Sequence, residues 1–144
     1  MKALILYTSG TTSQPKGVVI SHRNIESQIT TLVEAWEWKK EDRIPLFLPL
    51  HHIHGIINSL SCPLFVGAKV SMIGPFDVKK VSKQVSKGGF SVFTAVPTIY
   101  FSLIEELEDF EDQSLFDGFR SMRLMMSGSA ALAPEIHKKW KELT

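Results

Sequence analysis

The sequence predicts an α/β fold in which a mostly parallel sheet is flanked by helices. Short apolar, β-branched segments alternate with segments whose apolar residues recur at helical spacing. The 144 residues, 44% hydrophobic and 22% charged, fit one soluble globular domain. Polar clusters follow three of the expected strands. Ligands of such sheets bind beyond the carboxyl ends of the strands, so these clusters are the candidate site.

Composition narrows the classes of function. The 16 Lys and Arg residues nearly balance the 15 Asp and Glu residues, so the charge gives no sign of a nucleic-acid or anionic-membrane partner. The single cysteine, Cys62, excludes an internal disulfide and a multi-cysteine zinc site, and we expect it to be a buried apolar residue. The sequence offers no apolar run of about 20 residues and no signal peptide, so we expect an intracellular protein.

Secondary structure follows from periodicity and turn residues. Strands are expected at residues 3–7, 17–20, 43–48, 67–73, 90–96 and 123–127, the first of them buried. Helices are expected to begin after Ser21, near Val78, at Pro97 and at Pro134. Residues 105–119 carry seven acidic side chains and no Lys or Arg, which we interpret as a solvated connection with apolar anchors.

The loop at residues 7–17, Y-T-S-G-T-T-S-Q-P-K-G, is the strongest chemical signal. Small residues let backbone N–H groups approach an anion, while Ser9, Thr11 and Thr12 add hydroxyl donors and Lys16 adds positive charge. A Walker-type loop requires Gly-Lys followed by a hydroxyl residue and a helix. Here the order is Lys-Gly and a strand is expected to follow, so a polyphosphate loop of another kind is indicated. A plain surface turn is the alternative.

The second cluster is the histidine-rich turn L-H-H-I-H-G at residues 50–55. A metal site could draw on His51, His52, His54 and Cys62. A second ligand cluster is missing, however, and a tight turn rarely directs three imidazoles inward. We therefore expect no protein-bound metal and an ordinary packing role for at least one of these histidines, most readily His51.

These motifs together resemble the adenylate-forming acyl-CoA synthetase superfamily. The segment 7–17 is similar to its phosphate-loop signature, L-P-L-H-H-I-H-G (48–55) to its acyl-site motif, and T-A-V-P-T-I-Y (94–100) to its strand-to-helix turn. S-G-S-A-A-L (127–132) completes the set in the same order. The forms found here resemble the malonyl-CoA synthetase branch most closely.

The resemblance implies a ligase that uses ATP, Mg²⁺ and coenzyme A to convert a small, malonate-like carboxylic acid into its thioester through an acyl-adenylate. It assigns His52 and His54 to the acyl pocket, where His54 could meet the distal carboxylate of a dicarboxylic acid, and Ser129, Ala130 and Ala131 to the side of the adenine. Arg123 is a further candidate for the acyl pocket, because a guanidinium can bind a distal carboxylate through two hydrogen bonds; a charge at the strand edge is the alternative. It assigns these residues to the phosphates: Thr8, Ser9, Gly10, Thr11, Thr12, Ser13, Gln14, Pro15 and Lys16. The implied partners are the small carboxylate, ATP and coenzyme A, in the mitochondrial matrix or cytosol.

The sequence departs from the family pattern in two ways. Ser13 stands where glycine is usual, and a left-handed backbone there would cost roughly 1 kcal/mol. Nothing after Ala131 resembles the Y-G-x-T-E motif, the ribose-binding aspartate, the hinge or the C-terminal lysine. We therefore expect residues 1–144 to be a partial AMP-binding domain, inactive alone. The alternatives are a non-catalytic nucleotide or acyl binder, a fragment of a general short- or medium-chain acyl-CoA synthetase, and an inert, self-associating partial fold.

Overall fold

The computed structural model describes residues 1–9, 14–109 and 113–144. A hairpin comes first, and short strands alternating with helices follow it. The strands are β1 (Lys2–Thr8), β2 (Lys16–Ser21), β3 (Arg43–Leu46), β4 (Lys69–Met72), β5 (Val92–Ala95) and β6 (Leu124–Ser127). The helices are α1 (His22–Ala35), a π-helix (His54–Ser61), α2 (Cys62–Phe65), α3 (Val78–Val85), α4 (Pro97–Asp109), α5 (Gln113–Arg120) and α6 (Pro134–Leu143).

Parallel pairing of strands confirms the predicted fold class. β3 pairs in parallel with β4, and β5 pairs in parallel with β6. The two pairs are neighbours at their amino ends, where Ser91 N–H donates to the Arg43 carbonyl at 3.0 Å. The prediction of a mostly parallel sheet is incomplete in one respect, because β1 and β2 form a separate antiparallel hairpin. A chain that turns back within a few residues can pair only in this way.

Helices cover the parallel strands on both faces. Phe93 and Ala95 face a core formed with α3, α4, α5 and α6, while Val92 faces a second core formed with α1, the π-helix and α2. This alternation follows from the two-residue period of a strand. Phe93 centres an aromatic cluster, with its ring 5.4 Å from Phe47 and 5.5 Å from Phe119. Among the described residues, no helix is long and apolar enough to cross a lipid bilayer.

The first strand is not buried, contrary to the sequence prediction. Ile5 is 54% exposed and Tyr7 is 74% exposed, and Val18 and Val19 of β2 are nearly half exposed. Strand periodicity predicts this element correctly, but the apolar content of residues 3–7 does not by itself indicate burial. Within the described residues the hairpin pairs only with itself, and most of its side chains are exposed.

The described part of the acidic stretch, residues 105–109 and 113–119, is helical, which corrects its interpretation as a solvated connection. α4 continues to Asp109, and α5 begins at Gln113. Leu115 and Phe119 are fully buried, and the buried Glu106 carboxylate binds the Lys79 ammonium of α3 at 2.7 Å. Of the described acidic residues, Glu105, Glu108, Asp109 and Asp117 are exposed and Glu106 is buried, while the apolar anchors Leu115 and Phe119 are core residues.

The amino ends of the central strands are joined through the Asp42 carboxylate. The Arg123 guanidinium donates to Asp42 through Nε at 2.9 Å and through Nη2 at 2.6 Å. Ser91 Oγ donates to the same carboxylate at 2.6 Å. Arg123 also donates to the Trp36 and Glu37 carbonyls at 3.0 Å, which closes the carboxyl end of α1. This network ties α1 to β3, β5 and β6.

Replacing Gly118 by alanine should destabilise the fold. A Cβ at Gly118 would lie 2.4 Å from the backbone carbonyl oxygen of Val85, so α5 and α3 would have to separate. We expect Gly118→Ala to lower the free energy of unfolding by about 1–3 kcal/mol in urea titrations. Asp117→Ala on the exposed face of the same helix is the control, with an expected change within about 0.5 kcal/mol. Equal stability of both variants would contradict this packing.

Acid should weaken the fold through Asp42. Burial alone would raise the pKa of this carboxyl, but hydrogen bonds from Arg123, from Ser91 and from a backbone N–H lower it from 3.8 to about 2. Because the folded pKa lies below the unfolded one, the stabilisation is present above about pH 4 and is lost as the pH falls towards 2. This stabilisation of the folded chain by the ionised Asp42 amounts to about 2 kcal/mol.

The measurement is the free energy of unfolding from pH 5 to pH 2. Asp42→Asn should remove this part of the pH dependence. Glu41→Gln, which changes an exposed carboxylate next to it, should retain it. If the free energy of unfolding of Asp42→Asn fell with pH as much as that of the parent chain, the Asp42–Arg123 pair would not account for the loss of stability in acid.

Candidate functional site

Three of the sequence motifs meet at the carboxyl ends of the parallel strands. β3 leads into the histidine turn, β5 ends at Ala95 just before α4, and β6 ends at Ser127 just before the S-G-S-A-A-L turn. Parallel strands place their carboxyl ends at one edge, which brings these turns together. Gly55 lets the start of the π-helix lie close to the segment that follows β3, because a Cβ there would lie 2.1 Å from the Pro49 carbonyl oxygen.

The phosphate-loop candidate connects the two strands of the hairpin. The register closes at the Thr8–Lys16 pair, so residues 9–15 make the connection, and Thr8 Oγ1 lies 3.5 Å from the Lys16 carbonyl oxygen. The side chains of Thr8, Ser9, Gln14, Pro15 and Lys16 are all exposed at this end. Hydroxyls and an ammonium group are therefore open to an anion. The predicted contacts of Gly10, Thr11, Thr12 and Ser13 lie outside the described residues.

The three histidines have different surroundings. His51 and His52 are exposed, and their ring centroids lie 4.4 Å apart. His54 is only 8% exposed and begins the π-helix. Ser59 Oγ donates to the His54 carbonyl at 2.8 Å, which fits the five-residue spacing of that helix. The sequence placed all three in one irregular turn and did not anticipate the π-helix.

The His54 ring joins the other two motifs. Its Nδ1 is 3.1 Å from Ser129 Oγ, and its Nε2 is hydrogen-bonded to Thr94 Oγ1 on β5. Burial lowers the pKa of His54, which favours the neutral imidazole. A neutral ring has one donor and one acceptor nitrogen, and a hydroxyl can serve either, so both nitrogens are satisfied.

The S-G-S-A-A-L turn (127–132) rests directly on this ring. A Cβ at Gly128 would lie 3.0 Å from His54 Cε1, so glycine gives the turn room to lie against the imidazole. Ser129 follows with a φ of 68°, in the left-handed region, while the Gly128 N–H donates to the Ala95 carbonyl at 3.1 Å. Ala130 and Ala131 are exposed beside it. Small exposed side chains at this position leave the backbone accessible to a flat ring.

Arg123 does not join this group. It precedes β6, whereas Ser129 follows it, so the two residues lie at opposite ends of the strand. Its guanidinium is occupied by Asp42 and by two carbonyls at the end of α1. Hydrogen bonding to Asp42 raises the pKa of Arg123 and keeps it charged. The structure gives this residue a role in the scaffold.

An apolar cavity opens next to the histidine turn. It has a volume of about 560 Å³ at the carboxyl ends of β3 and β4, and one edge reaches His51. Its walls include Phe47, Met72 and Phe76, with Ile99 at the start of α4. A cavity of this size and lining suits the apolar part of a ligand whose polar groups lie in the turns.

Sequence reasoning missed Thr94 and Gly128 as site residues. Both stood inside recognised motifs, T-A-V-P-T and S-G-S-A, but their contacts with His54 cross 40 residues or more of sequence. Within the described ranges no three His, Cys, Asp or Glu side chains cluster as metal ligands.

Cys62 should be unreactive in the folded chain. It is fully buried, and burial raises the pKa of its thiol to about 11, so thiolate is scarce at pH 8. We expect labelling by a thiol-specific reagent such as Ellman's reagent to be very slow in buffer and complete within minutes in denaturant. Rapid stoichiometric labelling of the native chain would contradict the packing around α2.

Comparison with known proteins places the geometry in a family context. The family model described as AMP-binding enzyme matches residues 2–144. The chain is 44% identical to the Homo sapiens protein named malonate–CoA ligase ACSF3, mitochondrial, and 41% identical to an Arabidopsis thaliana malonate–CoA ligase. Each comparison covers 99% of this chain and 26% of the relative, so the chain spans about a quarter of the length of these relatives.

Solved structures agree with these matches. A malonyl-CoA ligase in a ternary product complex with methylmalonyl-CoA and AMP superposes with a TM-score of 0.90 at 36% identity, covering 99% of this chain and 30% of that one. ATP-bound MatB from Rhodopseudomonas palustris superposes with a TM-score of 0.81 at 33% identity, covering 96% of this chain and 26% of that one. The fold therefore matches a part of the N-terminal domain of such adenylate-forming enzymes.

Proposed function

Because the chain belongs to the AMP-binding enzyme family, we propose that it supplies the phosphate loop, the acyl-side turn and the adenine-side turn of an acid–thiol ligase for a malonate-like acid. The observation that carries this proposal is the convergence of the histidine turn, β5 and the S-G-S-A-A-L turn on the His54 ring. The names of the relatives and of the superposed structures support malonate as the acid. We place the reaction in the mitochondrial matrix or the cytosol.

The proposed reaction has two steps. A carboxylate oxygen of the acid attacks the α-phosphorus of ATP, and pyrophosphate leaves with the electrons of the broken P–O bond. The sulfur of coenzyme A then attacks the acyl carbon, and AMP leaves. Thr8, Ser9 and Lys16 would hold the β- and γ-phosphates, since hydroxyls and an ammonium group stabilise their negative charge. The exposed His52 is the acyl-side residue within reach of a substrate.

The donor set at the hairpin end fits a magnesium nucleotide. Hydroxyls and a lysine at this end can hold phosphates. Among the described residues, no three His, Cys, Asp or Glu side chains cluster so that the protein itself could hold a metal ion. Magnesium bound with the nucleotide would neutralise part of the charge of the phosphates. The chain's own residues would then orient the phosphates around it.

A non-catalytic nucleotide binder is the second candidate. The sequence lacks the Y-G-x-T-E motif and the other segments that the family resemblance connects with adenylation. We therefore propose that the 144-residue chain alone does not exchange pyrophosphate into ATP.

The test is a chimera in which residues 1–144 replace the matching quarter of the human relative. ATP–pyrophosphate exchange is measured with malonate, methylmalonate, acetate and a longer acid. We expect malonate to support the fastest exchange and Lys16→Ala to slow it about a hundredfold. Lys2→Ala, at the opposite end of the same hairpin, is the matched control and should behave like the parent chimera.

The other outcomes separate the candidates. Preference for acetate or for the longer acid would favour a general short- or medium-chain ligase. Nucleotide binding by a soluble chimera without exchange would favour the non-catalytic binder. A soluble chimera that neither binds ATP nor exchanges pyrophosphate would overturn the proposal.

A further inference from the structure

We propose that His54 is a positioning residue, whose ring connects the Gly128–Ser129 turn to β5 and so sets the backbone that borders the adenine. This inference rests on the proposed function, because that function assigns the turn to the adenine. It differs from the sequence expectation, which placed His54 in the acyl pocket to meet a distal carboxylate.

The geometry constrains the turn at three points. Ser129 Oγ is hydrogen-bonded to one nitrogen of the His54 ring, and Thr94 Oγ1 is hydrogen-bonded to the other. Gly128 lies against the edge of the same ring. Thr94 is 1% exposed on a strand buried on both faces, so it is a rigid anchor. Movement of the turn would break a hydrogen bond and open a gap beneath Gly128.

The backbone of the turn needs such a partner. Ser129 has a φ of 68°, which a residue with a Cβ adopts at a cost. Its hydrogen bond to His54 opposes relaxation to a negative φ. The bond therefore selects the conformation in which the small side chains of Ala130 and Ala131 leave the backbone open.

The chemistry of imidazole suits this position. Two hydroxyls on opposite sides require a planar group with polar atoms at both ends, and a neutral imidazole provides one donor and one acceptor. Both nitrogens are engaged by the protein, whereas His52 in the same turn is exposed. The two histidines therefore have different roles: His52 is free to face the substrate, and His54 holds the turn.

The experiment uses the 144-residue chain and two substitutions that leave the buried ring in place. Thr94→Val removes the anchor hydroxyl without changing the side-chain shape. Ser129→Gly removes the turn hydroxyl and also relieves the left-handed backbone, so a loss cannot come from added strain. Amide NMR spectra report on residues 128–131, and AMP titration gives the dissociation constant.

We expect Thr94→Val to shift the amide signals of Gly128 and Ser129, and each single variant to weaken AMP binding about fivefold. The double variant should bind AMP no more weakly than the weaker single variant, because both substitutions act through one ring. The control His137→Asn, on an exposed face of α6, should change neither quantity.

The results distinguish failure of this inference from failure of the proposed function. Additive losses in the double variant, or unchanged amide signals in Thr94→Val, would overturn the positioning role. If neither the parent chain nor the soluble chimera binds AMP, the nucleotide part of the proposed function fails. The amide shifts then still decide whether His54 connects the turn to β5.

Discussion

The arrangement of the central strands depends on the buried Asp42 carboxylate. Arg123 and Ser91 bind it from the amino ends of β6 and β5, and Arg123 extends the same network to the end of α1. A buried charge of this kind is stable only when its partners stay in place. The network therefore fixes the strands at one end, and the turns at the opposite end are free to form a site.

The carboxyl ends are joined by different chemistry. At the carboxyl ends, Thr94 and Ser129 form neutral hydrogen bonds with the His54 imidazole. At the amino ends, by contrast, Arg123 and Asp42 form an ion pair. The hydrogen bonds of His54 add no net charge at the carboxyl ends of the strands. Positive charge near the ligand would come from Lys16 on the hairpin, which is exposed.

Much of the fold could be predicted from local sequence. The β-branched segments and the cap at Ser21 gave strands and a helix start close to those observed, since propensity and capping are local properties. Burial could not be obtained in the same way. Residues 3–7 look like a core strand but lie exposed, and residues 105–119 look solvated but contain the fully buried Phe119. Burial depends on which elements pack together.

The candidate site, too, could be predicted only in its local features. The motifs located the turns, because glycine, hydroxyl and histidine residues have recognisable spacing. The contacts between them were not predictable, since Nδ1 of His54 reaches a residue 75 positions away. Arg123 illustrates the converse: its residue type suited a carboxylate substrate, but the carboxylate it binds is Asp42.

The proposed function requires that the hairpin end and the Gly128–Ala131 turn bind one nucleotide together. Hydrogen–deuterium exchange of the chain with and without magnesium ATP can detect such binding. We expect slower exchange in peptides covering residues 8–17 and 128–131, with no change around Asp42. Protection of neither region, or protection confined to the amino ends of the strands, would contradict it.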